Sequence, residues 1–268
     1  MEKRYRVLLW GAAQVYNEHY YNLRYREERG ELEVVGIYDR SLPGGGRLDG
    51  WPLLKKEELL SVPHDYLLIM SGTLEREVTE EYLALGGSPE KVLPCRILDV
   101  PGLTFSRYEQ IREARYSILA HDCLGGFLSN TLCLERRSPF VNLWLYHKDY
   151  REIVTHLKDY LALEPVFDRW KEAMSQWDTN PYPVLRLGDV RLYCNHDSDP
   201  ETAIRNWERR KQRVDLDRLL LTVFARSREA EEEYLALDGF ARKLVFTSCP
   251  DHAPGALYIP SDGREYWD

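Results

Sequence analysis

Cysteine is sparse and scattered in this chain. The five residues Cys95, Cys123, Cys133, Cys194 and Cys249 are odd in number and include no C-x-x-C pair. That excludes a disulfide framework and a zinc ribbon, and reduced thiols in a cytosol are expected. Long apolar runs are also lacking, so no membrane-spanning helix is expected. The first residues, Met1 to Arg6, carry no apolar core or cleavage site of a signal peptide, which points to a cytoplasmic protein. Excess positive charge is missing too. The net charge is −8 with a pI near 5.5, which speaks against a nucleic-acid partner. Neither a Walker A loop nor a Gly-x-Ser-x-Gly elbow occurs. The stretches CNHDSD (194–199) and CPDH (249–252) gather ligand types without a second spaced pair, so no metal is expected.

What is present is an ordinary globular composition, 44% hydrophobic and 30% charged over 268 residues, the length of one large domain or two small ones. Apolar runs at 6–10, 33–38 and 66–70 read as strands, separated by helical stretches to about residue 28 and near 75–85. Gly86-Gly87 is the stop signal of the second helix, and Val92-Leu93 opens an edge strand. After a connector at 101–115 with one polar helix, a second series follows. Strands are expected at 116–120, 140–145, 219–224 and 243–246. Helices are expected at 125–134, 149–163, 199–214 and 229–237, and a hairpin at 184–193 around Gly188-Asp189. The fold class is therefore α/β: two Rossmann-like αβ domains with mainly parallel sheets, the second including a β-hairpin. The expected boundaries are 1–100, 101–115 and 116–268.

The first strand runs into Trp10-Gly11-Ala12-Ala13-Gln14-Val15-Tyr16, where a dinucleotide fold keeps G-x-G-x-x-G. Only Gly11 remains, which weakens the case for NAD. Asp39 ends the second strand, 28 residues after Gly11, against a usual spacing of about 20 for a ribose-binding acid. Gly11 and Asp39 are thus candidate nucleotide-binding residues. The structural alternative is a tight turn and a strand-end cap. The segments LLWGAAQVYN, EVVGIYDR and LDGWPLLKKEELLSVPHDYLLIMSG resemble the Rossmann-like modules of bacterial surface-polysaccharide enzymes. In sugar O- and N-acyltransferases the similar domain binds a nucleotide-sugar.

The sharpest chemistry lies in SILAHDCLGG, residues 117–126. A thiol at a helix N-terminus meets free N–H groups and the positive end of the dipole, which favour thiolate. Cys123 is the candidate nucleophile, and the amides of Gly125 and Gly126 are candidate oxyanion donors. His121 or His196 is the candidate base, with Asp189 or Asp197 to orient it. The alternative is a buried cysteine under a closely packed helix, with Asp122 as an ordinary cap. Arg205, Arg209 and Arg210, on the helix that begins at Asp199-Pro200, are candidate phosphate-binding residues with Trp207 beside them. A solvated charged face is the alternative.

SILAHDCLGGFLSNTL, SPFVNLWLYHKDY, YPVLRLGDVRLYCNHDSDPETAIRNWERRKQRV and RKLVFTSCPD resemble, in order, successive blocks of the bacterial domain-of-unknown-function family 1919, often labelled exopolysaccharide biosynthesis. Members commonly carry Asn-Asn-Cys-aromatic-Gly-Gly. Cys123, Gly125 and Gly126 match that block, whereas His121, Asp122 and Leu124 depart from it. Arg186–Asp189 matches the family's RLGD element, and His196 with Ser198 its H-x-S element. The resemblance implies a role in surface-polysaccharide biosynthesis with a nucleotide-sugar or lipid-linked glycan as partner. A transferase or hydrolase acting on an activated sugar, with a nucleotide-sugar or acyl donor, is the leading expectation. A non-catalytic binding protein and an NAD-dependent oxidoreductase are the alternatives. No cofactor is required by the sequence, and a homo-oligomer stays open.

Overall fold

The computed structural model describes residues 3–172 and 180–260. The chain divides into two compact units. One comprises residues 1–113 with 131–133, and the other 114–130 with 134–268.

The first unit is built on a parallel four-stranded sheet. Its strands are β1 (Tyr5–Trp10), β2 (Leu32–Tyr38), β5 (Tyr66–Ile69) and β6 (Val92–Pro94), in the order β2-β1-β5-β6. Strands β3 (Arg47–Leu48) and β4 (Trp51–Pro52) form a small antiparallel pair. β1 is apolar almost throughout because both faces are covered. Val7 and Leu9 face a core shared with Tyr16 and Leu23 of α1 (Gln14–Glu28). Leu8 and Trp10 face Val78 and Tyr82 of α2 (Glu75–Ala84). Strand order reverses between β1 and β5, the crevice where open α/β sheets place ligands. The helix expected in a connector is α3 (Phe105–Ala114). Its Phe105 and Tyr108 are buried in the first unit's core, so that stretch is anchored rather than free-standing.

The second unit contains a parallel sheet ordered β13-β12-β11-β7. Its strands are β7 (Ser117–Ala120), β11 (Leu219–Ala225), β12 (Arg242–Thr247) and β13 (Leu257–Tyr258). The hairpin β9 (Tyr182–Leu187) and β10 (Val190–Tyr193) forms where expected, but outside that sheet. It makes a separate antiparallel sheet with β8 (Val166–Lys171), ordered β10-β9-β8. Gly188 at the hairpin turn has φ +62°, and a Cβ there would sit 3.1 Å from Leu163 Cδ1. Glycine removes both the strain and the clash.

Between the strands lie α4 (Leu124–Thr131), α5 (His147–Thr155), α6 (Leu157–Ala162), α7 (Pro200–Lys211) and α8 (Arg228–Ala236). The apolar stripe expected over 149–163 is buried, but the helix breaks at His156, whose φ −119° and ψ 39° leave the helical region. Residues 140–145 are not a strand. Asn142 adopts φ +61° there, and only Trp144 pairs, through an isolated antiparallel bridge to Tyr193. Asp199 caps α7 by accepting the Thr202 N–H at 2.7 Å. Among the described residues no helix is long and apolar enough to cross a membrane.

Candidate active site

β7 delivers its last residue, Ala120, to the carboxyl edge of the parallel sheet, and residues 121–123 turn the chain into α4. Asp122 Oδ1 accepts the Leu124 N–H at 2.9 Å, and the Cys123 carbonyl accepts the Phe127 N–H at 3.0 Å. Asp122 therefore does cap the turn, while Cys123 occupies the helix N-cap position. The Gly125 and Gly126 N–H groups belong to the first turn, where no intrahelical acceptor exists. The two glycines differ in what they serve. A Cβ on Gly125 would lie 3.2 Å from Ala120 Cβ and 3.5 Å from Ile118 Cγ2, so this glycine lets α4 lie against β7. A Cβ on Gly126 would meet nothing nearer than 3.9 Å.

His196 enters from the other sheet. It stands in the turn after β10, closed by the Asp197 N–H donating to the Cys194 carbonyl at 3.0 Å. Its Nε2 lies 3.6 Å from Cys123 Sγ, across 73 positions of sequence. This is hydrogen-bond distance for sulfur, and the imidazole is exposed. Cys123 is half-buried.

The other proposed partners lie elsewhere. Asp189 sits at the start of β10, whereas His196 follows its end, and four strand residues span about 13 Å. Asp189 accepts the Tyr160 hydroxyl at 2.5 Å, and that bond holds its carboxyl below the usual range. Asp197 accepts from Asn206 Nδ2 at 2.6 Å. Among the described residues neither carboxylate bonds to His196.

His121 is turned into the protein, because the chain leaves the extended conformation at that residue and no longer aligns positions two apart. Its ring packs 4.5 Å from that of His147 and 5.7 Å from Tyr150, with Nε2 3.8 Å from Asp122 Oδ2. Burial lowers its pKa, with Arg226 adding to the effect and Asp122 opposing it. Burial, then His121 and Arg226, pushes the His147 pKa down to about 4. His121 Nδ1 and Asn195 Oδ1, one from each loop that bears the thiol pair, are buried and have no hydrogen-bond partner among the described residues. Such orphaned atoms call for a bound group or water. His147, Arg226 and Asn195 escaped the sequence reading. His147 in SPFVNLWLYHKDY and Asn195 beside His196 were the available signals.

The arginines of α7 do not converge. Arg205 and Arg209 are exposed and bond within their own helix, to Thr202 Oγ1 at 2.8 Å and Asn206 Oδ1 at 2.9 Å. Arg210 is half-buried and donates to the Val141 carbonyl at 2.5 Å. Trp207 is a core residue, 2% exposed, rather than a ligand platform. In the first unit, Gly11 has φ +114° and a Cβ would lie 3.1 Å from the Met70 carbonyl oxygen. Asp39 accepts the Ala12 N–H at 2.8 Å and both the N–H and hydroxyl of Ser41, at 2.8 and 2.6 Å. Its carboxylate ties two loops together. Tyr16, where a third fingerprint glycine would stand, is buried and donates to Asp49 at 2.7 Å.

Among the described residues no three His, Cys, Asp or Glu side chains gather as a metal site. Residues 97–260 match the family described as "Domain of unknown function (DUF1919)". The chain belongs to the DUF1919 family. Cys123, His196 and the arginines of α7 all fall inside the DUF1919 segment. Gly11 and Asp39 lie in residues 3–93, which match "C2185-like, N-terminal". An "Uncharacterized protein" of Haemophilus influenzae is 27% identical over 146 residues, covering 53% of this chain and 67% of that relative.

Proposed function

We propose that the DUF1919 unit performs thiol-dependent group transfer or hydrolysis on an activated sugar, in the biosynthesis of cell-surface polysaccharide. The observation that carries the chemistry is the 3.6 Å approach of Cys123 Sγ to His196 Nε2. In this reading Nε2 takes the thiol proton, and the thiolate attacks an acyl carbonyl or a sugar's anomeric carbon as the donor's leaving group departs. The imidazolium then returns the proton to the leaving group. For an acyl carbonyl, the Gly125 and Gly126 amides are the donors placed at the developing negative charge. Water or an acceptor hydroxyl then attacks the carbonyl of the thioester, or the anomeric carbon of the S-glycosyl intermediate in the sugar case, breaks the bond to sulfur and regenerates the thiol. The polysaccharide setting draws its support from the segment resemblances rather than from site geometry.

The test is turnover against a panel of nucleotide-sugars and acyl-coenzyme A donors with wild-type, Cys123→Ala and His196→Gln proteins. Loss of at least about a hundredfold in both variants is expected. Unchanged turnover in Cys123→Ala would remove the nucleophile. A second reading, ligand binding without turnover, is favoured by one observation: no carboxylate among the described residues orients His196. It predicts binding that survives both substitutions and no turnover in any of the three proteins.

A further inference from the structure

In the second unit an aromatic box closes on a lysine. Trp144 and Tyr193 stack at 4.1 Å with an 18° interplanar angle, and Tyr146 meets both edge-on, at 4.8 and 5.1 Å. Lys171 Nζ, from the end of β8, lies 4.6 Å from the Trp144 ring, 5.0 Å from Tyr193 and 5.8 Å from Tyr146. The box is fastened on two sides. Trp144 and Tyr193 exchange backbone hydrogen bonds at 3.0 and 3.1 Å, and the Trp144 indole N–H donates to the Tyr182 hydroxyl at 3.3 Å. The intervening Leu145 N–H donates to the His121 carbonyl at 2.8 Å, two residues before Cys123. Tyr193 is three residues before His196, no more than about 11 Å along the chain. One short segment, 144–146, is thus pinned both to the loop that bears the thiol and to the strand that leads to the base.

Among the described residues the lysine is held by rings alone and is not neutralised. Among the described residues no carboxylate lies within ion-pair distance of Lys171. The nearby Asp168 is engaged by Arg169 at 3.4 Å and Arg191 at 3.1 Å. Aromatic faces attract an ammonium by their quadrupole but do not take its N–H donors as a carboxylate does. Holding the flexible stem in place removes entropy that anion binding would otherwise cost. Meanwhile Tyr146 keeps 51% of its surface exposed, a flat apolar face for the C–H side of a pyranose ring.

We propose that this box is the recognition subsite for an anionic sugar, with a carboxylate or phosphate on Lys171 Nζ and the pyranose against Tyr146 and Trp144. The proposal names the substrate class of the thiol site and rests on that reading for its purpose. Binding itself does not require Cys123. Titration calorimetry on the full chain carrying Cys123→Ser therefore separates the two. The probes are methyl glucuronide, glucose 1-phosphate, methyl glucoside and tetramethylammonium chloride.

Binding of either acidic sugar over methyl glucoside supports the proposal, and the better of the two names the anion. Lys171→Met should then weaken that binding at least about tenfold, the size of one charge-assisted hydrogen bond, while Lys171→Arg retains most of it. Three results overturn it: equal affinity for the neutral glycoside, no effect of Lys171→Met, or no binding of any sugar. Tetramethylammonium binding that appears only in Lys171→Met overturns it in favour of a cage for cations. Unchanged turnover in Cys123→Ser with acidic-sugar binding intact would remove the thiol chemistry and leave the subsite standing.

Discussion

Tyr150→Phe isolates one hydroxyl at the root of the site. Tyr150 lies on α5 and is fully buried, and its hydroxyl donates to the Leu119 carbonyl at 2.8 Å and the Thr222 carbonyl at 3.2 Å. These acceptors belong to adjacent parallel strands, so the phenol joins β7 to β11 just below the turn that carries Cys123. Burial raises its pKa well above the usual phenol value, so the group remains a donor at any working pH. Phenylalanine keeps the ring and its packing against Phe140, Tyr234 and His121. Only the donor is lost. A net hydrogen bond is worth about 1 kcal/mol, and two partly deprived buried carbonyls bring the cost to about 1–2 kcal/mol. For a unit of this size that lowers the unfolding midpoint by roughly 2–8 °C. Tyr150→Leu also removes ring volume and should cost about 3 kcal/mol or more. Urea and thermal melts of the three proteins, followed by tryptophan fluorescence, read the difference. A Tyr150→Phe protein as stable as wild type would refute the reasoning, because the hydroxyl would then contribute nothing.

The glycines after the thiol should behave unequally: Gly125→Val drives side-chain atoms into Ala120 and Ile118 and should destabilise by about 1–3 kcal/mol, whereas Gly126→Ala, whose Cβ makes ordinary contact with Val141 at 3.9 Å, should stay within about 0.5 kcal/mol of wild type or gain helix stability. Denaturant midpoints check both. The adjacent histidines His121 and His147 make the fold acid-sensitive. With the His147 pKa pushed down to about 4, the folded chain binds fewer protons than the unfolded chain below the ordinary value of about 6.5. Stability is then complete above that value and falls as pH drops toward 4. His147→Gln should flatten this slope by something on the order of 1 kcal/mol, reduced by solvent screening of a half-buried ring; an identical pH profile of melting would contradict the assignment.

Much of the architecture was legible because local signals and burial agree. β1, β2 and β5 are short apolar runs with both faces covered, and Asp199-Pro200 begins α7 with the cap its residue types favour. Where the reading failed, tertiary placement overrode pattern. The apolar stretch 140–145 is buried as irregular chain because Asn142 takes a left-handed conformation. β8 was missed because Asp168, Arg169 and Lys171 mask its alternation. At the site, residue types pointed to Cys123 and His196, but no spacing rule brings together positions 73 apart. Asp189 looked equally suitable, yet it lies at the far end of the strand from His196, and a tyrosine already holds it. The aromatic box was invisible for the same reason, since Trp144, Lys171 and Tyr193 come from three separate segments.

Thiol chemistry at this site requires Cys123 and His196 to act as a pair. The decisive measurement is the pH dependence of iodoacetamide alkylation at each cysteine, read by mass spectrometry in wild type and His196→Ala. The other thiols provide an internal contrast. Burial pushes the Cys95, Cys133 and Cys194 thiols up, to about 12 for Cys194. The pair predicts that Cys123 reacts fastest and reaches half its maximal rate below the free-thiol pH of about 8.5. His196→Ala should slow it at neutral pH by roughly tenfold. A Cys123 that stays inert until the protein unfolds, or that reacts equally well without His196, would contradict the pair and leave the junction of β7 and α4 with a packing role alone.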